Sequence, residues 1–504
     1  MALQNRKSVM AIKKEVVESV PVSPTSGSND YIPLQEGFSM EPSFDTLENA
    51  ELTGSIGIAK PVLGLENPSA SVSHYVKHSG VEGSEPNFGL LFEALLGAKD
   101  VNATEYDTIG GSIGGSSTVQ GKVVVDTGEG ANFQIGQGLL IKSSGGYKIR
   151  NVESISSDDL KLSFNIDHNP TSGTNLGKAV MYLPANENHP TFSTWLYRAN
   201  GGAVEMMAGS RVISATINAN AGEFVNADFS FEGVEYYFNP IEITASSKFI
   251  DFDDGSVQVA NVAEGFYKDP HDLAAALQIA MDSVSSDNIT VSYSDSTGKF
   301  TIASDGASLE LLWDSGANAA NTIGEKIGFS IAADDTGVLT YTSDSAVILA
   351  APQIPTYDPT SPLVAKANEV LLGDFNDYGC IGASSVTINA SNTKADLLDL
   401  CAVSGKEGSL IAGREFSIDI VARLSQYDAD KFKRFRQGLK TPFTYNCGEK
   451  LGGNWVAGKC INFYTPSATI SSFALGDDNG VITLEMSLTC FVQDGLNEFF
   501  VNFL

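Results

Sequence analysis

A chain of 504 residues is too long for one ordinary core, and 42% hydrophobic residues with 49 glycines point to several buried, turn-rich β units, roughly three domains by length. The formal net charge of −30 argues against a protein that grips nucleic acid, because holding phosphates needs Lys and Arg to replace counterions. It still allows an acidic wall along which DNA passes without sticking. The five cysteines (Cys380, Cys401, Cys447, Cys460, Cys490) lack CxxC spacing and read as free buried thiols in a reducing cytoplasm. No apolar stretch has the length of a signal peptide core or a membrane span.

In chain order, residues 1–36 are polar and predict an N-terminal arm. Residues 51–59 (ELTGSIGIA) and 70–78 (ASVSHYVKH) alternate with period two. Residues 85–98 place Phe88, Leu91, Phe92, Leu95 and Leu96 at helical spacing, with Pro86 before them and Gly97 after. Residues 104–188 change to short strands with close turns, as expected of a small β insertion in a loop. FSTWLYR (192–198) then resumes the interrupted unit, and the hairpin VISATINANAGEFVNADFSFEG (212–233) completes it. Residues 236–350 read as an independent α+β insert, with a helix from Pro270 to about Val284. Asp269 is its N-cap, and Leu273, Leu277, Ala280 and Met281 form its apolar stripe. The Pro-rich stretch 351–365 reads as a stiff linker.

Beyond the linker come the strand REFSIDIVARL (414–424), a helix at 428–438, the strand KCINFYTP (459–466), and a second long hairpin at 468–490 with the turn signal Asn479-Gly480. This order of strand, helix, strand and hairpin matches the first unit and supports a duplicated domain. The tetrapeptide Thr-Ile-Asn-Ala occurs in both parts, at 216–219 and 387–390. Each hairpin strand alternates a core face with a water face. Long hairpins leave unpaired backbone at their edges, and a closed ring of them would remove those edges.

These stretches, with LENAELTGSIGIAKPVLGLENPSASVSHYVKH, FGLLFEALLGA and GREFSIDIVARLSQYDADKFKRF, resemble the major tail tube proteins of long-tailed bacteriophages across most of residues 37–235 and 366–504. Residues 240–345 resemble a module that recurs as an insertion in phage structural proteins. The resemblance implies a mainly β fold with a few helices: two tube domains of β-sandwich or half-barrel type, whose hairpins form a lumen β-barrel on oligomerisation. The expected division is an arm (1–36), a first tube domain (37–235), an exterior accessory insert (236–350), a linker (351–365) and a second tube domain (366–504). The resemblance also implies stacked rings that conduct viral DNA from capsid to host, other tail proteins at the tube ends, assembly in the bacterial cytoplasm, and an acidic lumen. With two tube domains per chain, a trimeric ring is preferred over a hexamer.

Chemistry-bearing motifs are sparse. His74 and His78 lie on a strand pattern, where a spacing of four does not bring two ligands to one metal. DFDDG (251–255) lacks the distal Glu of a calcium loop. With no Walker loop or HExxH and five His in all, the expectation is a non-enzymatic protein without cofactor or metal. Glu223, Asp228, Asp477, Asp478 and Glu485 are the hairpin acids that strand alternation makes candidates for the lumen. Lys431, Lys433, Arg434, Arg436 and Lys440 form the main basic cluster, a candidate surface for an acidic neighbouring subunit. The alternative reading is a receptor- or glycan-binding tail-tip adhesin.

Overall fold

The computed structural model describes residues 4–25, 27–51, 60–110, 120–166, 168–347, 351–374, 378–425, 428–493, 495 and 497–504. Strands dominate it, as the sequence pattern requires, and three α-helices occur among the described residues. The strand expected at 51–59 lies outside them, apart from Glu51. The chain divides into two compact units, residues 1–11, 193–208 and 235–354 in one, and 12–192, 209–234 and 355–504 in the other.

In the larger unit, eight strands of a twelve-stranded sheet form one continuous run: β1 (Ser39–Glu41), β2 (Ser69–Tyr75), β3 (Ala203–Asn220, from Arg211 on), β4 (Asn226–Glu232), β5 (Ala383–Leu398), β6 (Lys406–Arg423), β7 (Ala468–Asp478) and β8 (Val481–Cys490). They pair continuously and antiparallel in the order β1-β2-β4-β3-β5-β6-β8-β7. The first four strands and the last four therefore repeat one arrangement, with the same neighbours and the same directions.

The repeat holds residue by residue. Met40, Ala70, Phe231 and Val212 form a row across the first set, and Ile388, Ile418, Leu488 and Ile470 form the matching row across the second. All eight side chains are buried. One bulge interrupts β3 between Val212 and Ser214, and its counterpart interrupts β7 between Ile470 and Ser472. Further out, Phe44 pairs with Glu66 and Thr46 with Leu63, just as Asn392 pairs with Arg414 and Lys394 with Ile411. Residues 39–47 and 62–75 thus correspond to 387–395 and 410–423 at one constant offset.

Helix α1 (Gly89–Leu96) ends at Gly97, whose φ of 109° in the left-handed region suits a residue without Cβ. Its last carbonyls are capped from the second repeat. Asn392 Nδ2 donates to Leu95 O (3.1 Å), and an Arg414 guanidinium nitrogen donates to Leu96 O (2.6 Å). Phe92 packs near Phe463 and Phe503, so residues distant in sequence bury this helix.

A seven-stranded sheet (378–380, 369–373, 443–451, 454–465, 500–503, 179–184 and 97–102, in spatial order) lies in the same unit. A six-stranded sheet built from 106–176 is also there, around Val123, Leu139, Val152, Leu160 and Leu162. The two meet on a buried polar seam. Asn462 donates to Asn446 Oδ1 (2.7 Å) and Thr444 Oγ1 (2.8 Å), Asn151 donates to Asn462 Oδ1 (2.7 Å), and Asn502 donates to the same oxygen (3.0 Å). Residues 1–36, expected as an arm, instead contribute buried Met10, Ala11, Ile12, Tyr31 and Ile32, because the run VMAI is apolar enough to be covered.

The smaller unit contains α2 (Pro270–Asp282). Asp269 caps it by accepting from the backbone N–H of His271 (2.7 Å) and Asp272 (2.9 Å). Leu273, Leu277 and Met281 face a core with Ile250, Phe252, Phe300, Ile302 and Trp313.

Candidate functional site: a polar sheet face with two open edges

Alternation along the eight-strand run sends every second side chain to a face that carries small hydroxyls, amides and carboxylates. Ser71, Ser73, Thr216, Asn218, Thr387, Asn389, Ser417 and Ser487 lie there, and none is fully buried. Asp228 accepts from Ser73 Oγ (2.5 Å) and Asn218 Nδ2 (3.4 Å). In the second repeat Asp419 accepts from Asn389 Nδ2 (3.0 Å) and Ser487 Oγ (2.6 Å). These neutral donors hold the carboxylates flat against the strands and leave their charge uncancelled.

Of the five acids expected at the lumen, the structure brings Asp228 and Glu485 to this face, at counterpart positions on β4 and β8. Glu223 sits in the turn after β3, where Asn220 Nδ2 donates to it (3.0 Å). Asp477 and Asp478 flank the Asn479-Gly480 turn, whose residues both have positive φ (53° and 83°) as a type I′ turn requires. These three are exposed at the ends of strands. Sequence reasoning passed over Asp419 and Glu415, although they alternate with Phe416, Ile418 and Ile420 in a strand whose amphipathic pattern is plain.

The basic cluster lies on α3 (Ala429–Gln437). Arg434 is buried and ion-paired to Asp430 (2.7 Å) and Asp374 (2.8 Å), and Lys431 contacts Asp428. Both charges are committed within the chain, whereas Lys433, Arg436 and Lys440 are exposed.

His74 is inside the core. Its ring stacks on Phe229 (5.6 Å) and lies 4.3 Å from Phe88, and burial pushes its pKa down to about 4. The buried His78 ring is 3.7 Å from Glu449, which is held by Lys459 (2.7 Å). Among the described residues, no group of three or more His, Cys, Asp and Glu side chains is placed to hold a metal.

The eight-strand run is bounded by β1 and β7, each with one strand neighbour among the described residues. On β7, Leu475 is 62% exposed, whereas its counterpart Ile217 is 2% exposed beneath the junction with β5. An extended sheet with a core face, a polar face and unpaired edges defines a β-rich protein that presents a broad polar surface and two free strand edges. The Phage tail tube protein family matches residues 5–337, more than half of the chain, and the chain belongs to that family. No curated protein sequence matches it. A chain from the virion of a native gene transfer agent particle is similar at 17% identity over 25% of this chain and 92% of the other. Its TM-score is 0.18, too low to bear on the fold.

Proposed function

We propose that the chain is a self-assembling tail tube subunit, with a structural and non-enzymatic role in the virion. The observation that carries this reading is the repeated four-strand set, joined within the chain by β3–β5 and open at β1 and β7. Three chains would supply six such sets and close a ring; stacked rings would make the conduit. The face bearing Asp228, Asp419 and Glu485 would line it, these carboxylates repelling the phosphates of DNA in transit. The region 236–350 would sit outside the wall, since a body of that size in the channel would block DNA. Lys433, Arg436 and Lys440 would meet an acidic neighbour. Other tail proteins would cap the tube, and assembly would occur in the host cytoplasm.

Negative-stain electron microscopy of the purified, concentrated protein tests this. Hollow tubes or stacked rings with a channel and three-fold symmetry are expected. Discrete particles without a channel, even with an initiating tail complex added, would overturn it in favour of a surface-binding adhesin.

A further inference from the structure

The repeat assigns a register to a contact that one chain alone does not make. At the internal junction Ile217 faces Ile388 and Thr216 faces Asn389. The counterparts of Ile217 and Thr216 on β7 are Leu475 and Ala474, and those of Ile388 and Asn389 on β1 are Met40 and Glu41. We propose that the β7 edge takes the β1 edge of a second copy of this chain, antiparallel, with Leu475 opposite Met40, Ala474 opposite Glu41 and Gly476 opposite Ser39. The inference rests on the polymerising reading above and adds to it the partner strand and the pairing.

Three exposed apolar side chains gain an explanation from this one contact. Leu475 takes the position of buried Ile217. Aligned on their left-handed terminal glycines, Gly97 and Gly438, the helices α1 and α3 place Phe432, 48% exposed, where Leu91 is fully buried. Phe44, 43% exposed, corresponds to Asn392, which caps α1 from the second repeat. In the proposed junction Phe44 of the incoming copy therefore lands on the last turn of α3, beside Arg436. Strand polarity agrees: β7 runs parallel to β3 and β1 parallel to β5, so the new seam has the sense of the old one.

The test is a disulfide trap in the full chain, with exposed Cys380 and Cys401 changed to Ser. Ala221 N donates to Ser384 O (2.9 Å), which by alternation makes Thr216–Asn389 a non-hydrogen-bonded pair, and Ala474–Glu41 likewise. Such pairs have Cα atoms about 4.5 Å apart, within disulfide reach. Glu41→Cys with Ala474→Cys is expected to give covalent multimers on non-reducing gels of assembled protein. Thr216→Cys with Asn389→Cys serves as the intrachain control. Tubes in which Glu41→Cys instead cross-links to Ser472→Cys or Gly476→Cys would overturn the register. Tubes with no cross-link, while the intrachain control closes, would overturn the choice of partner strand. A wild-type chain that forms neither rings nor tubes would overturn the conduit reading itself, and the junction with it.

Discussion

Ile217 and Ile388 stand directly opposite one another on β3 and β5, at the centre of a local two-fold. Two Thr-Ile-Asn-Ala tetrapeptides run past each other there, and Thr387 Oγ1 donates to Asn218 Oδ1 (3.2 Å) while Thr216 Oγ1 donates to Asn389 Oδ1 (3.4 Å). The pair is the covalently supplied version of the seam that Leu475 and Met40 would form between copies.

Truncation at the two positions separates folding from assembly. Ile217→Ala removes buried volume and is expected to cost about 2–5 kcal/mol in urea unfolding of the unassembled chain. Leu475→Ala, at an exposed site, is expected to cost less than about 0.5 kcal/mol in the same experiment. Sedimentation velocity should nevertheless show that Leu475→Ala shifts the protein from large assemblies toward free chains.

Acid should weaken the first repeat through His74. Its folded pKa of about 4 lies below the ordinary value of 6.5, so above pH 6.5 the group costs nothing. As pH falls from 6.5 to 4 the unfolded chain takes up a proton that the folded chain refuses. Stability then drops by up to about 3 kcal/mol before levelling off. Thermal melts across that range should show a shallower dependence on pH in His74→Phe than in wild type, because the titrating ring is gone. A residual slope is expected from His78 and His189, which burial also lowers.

Asn462 is the hub of the polar seam, and Asn462→Leu keeps the volume while removing one buried partner each from Asn446, Asn151, Asn502 and Thr444. A loss of at least about 3 kcal/mol is expected, since several buried polar groups lose partners together. Hydrogen exchange should rise first in 106–176 and 443–465, the segments that the seam joins.

Charge reversal on the polar face tests its role. Asp228→Lys, Asp419→Lys and Glu485→Lys together should leave tubes intact, because all three lie on the solvent side of the sheet. Double-stranded DNA should then co-sediment with the variant at low salt and be released as salt rises, while wild type retains none.

Much of the fold is legible from residue patterns. Period-two alternation marks β2, β3, β4, β6 and β8, and Asp269-Pro270, Gly97 and Asn479-Gly480 mark helix and turn ends that the structure reproduces. The shared tetrapeptide is a poor guide, because its two copies are neighbours across the junction and occupy different places in the repeat. The true correspondence, of 39–47 and 62–75 with 387–395 and 410–423, preserves only Ser43/Ser391 and Ser69/Ser417. Backbone pairing needs matched parity of apolar side chains and leaves their identity free.

The asparagine seam is invisible in the sequence because single Asn residues at 151, 446, 462 and 502 carry no local pattern; only strand pairing lines them up. Ala179–Pro184 falls by pattern within the insertion, yet it pairs with 97–102 and 500–503, a long-range choice with no local signal. Arg434 looks like its basic neighbours in sequence, and only the fold brings it Asp374, sixty residues away, as a partner.

The paired bulges at Ile213 and Ser471 have a mechanical consequence. An extra residue on one strand forces that strand to bend and steepens its right-handed twist. Set at the same height in each repeat, the two act as matched kinks, so the sheet turns by a similar increment at each one. Curvature is in this way written into the individual chain, and a wall assembled from copies would inherit its radius from single inserted residues.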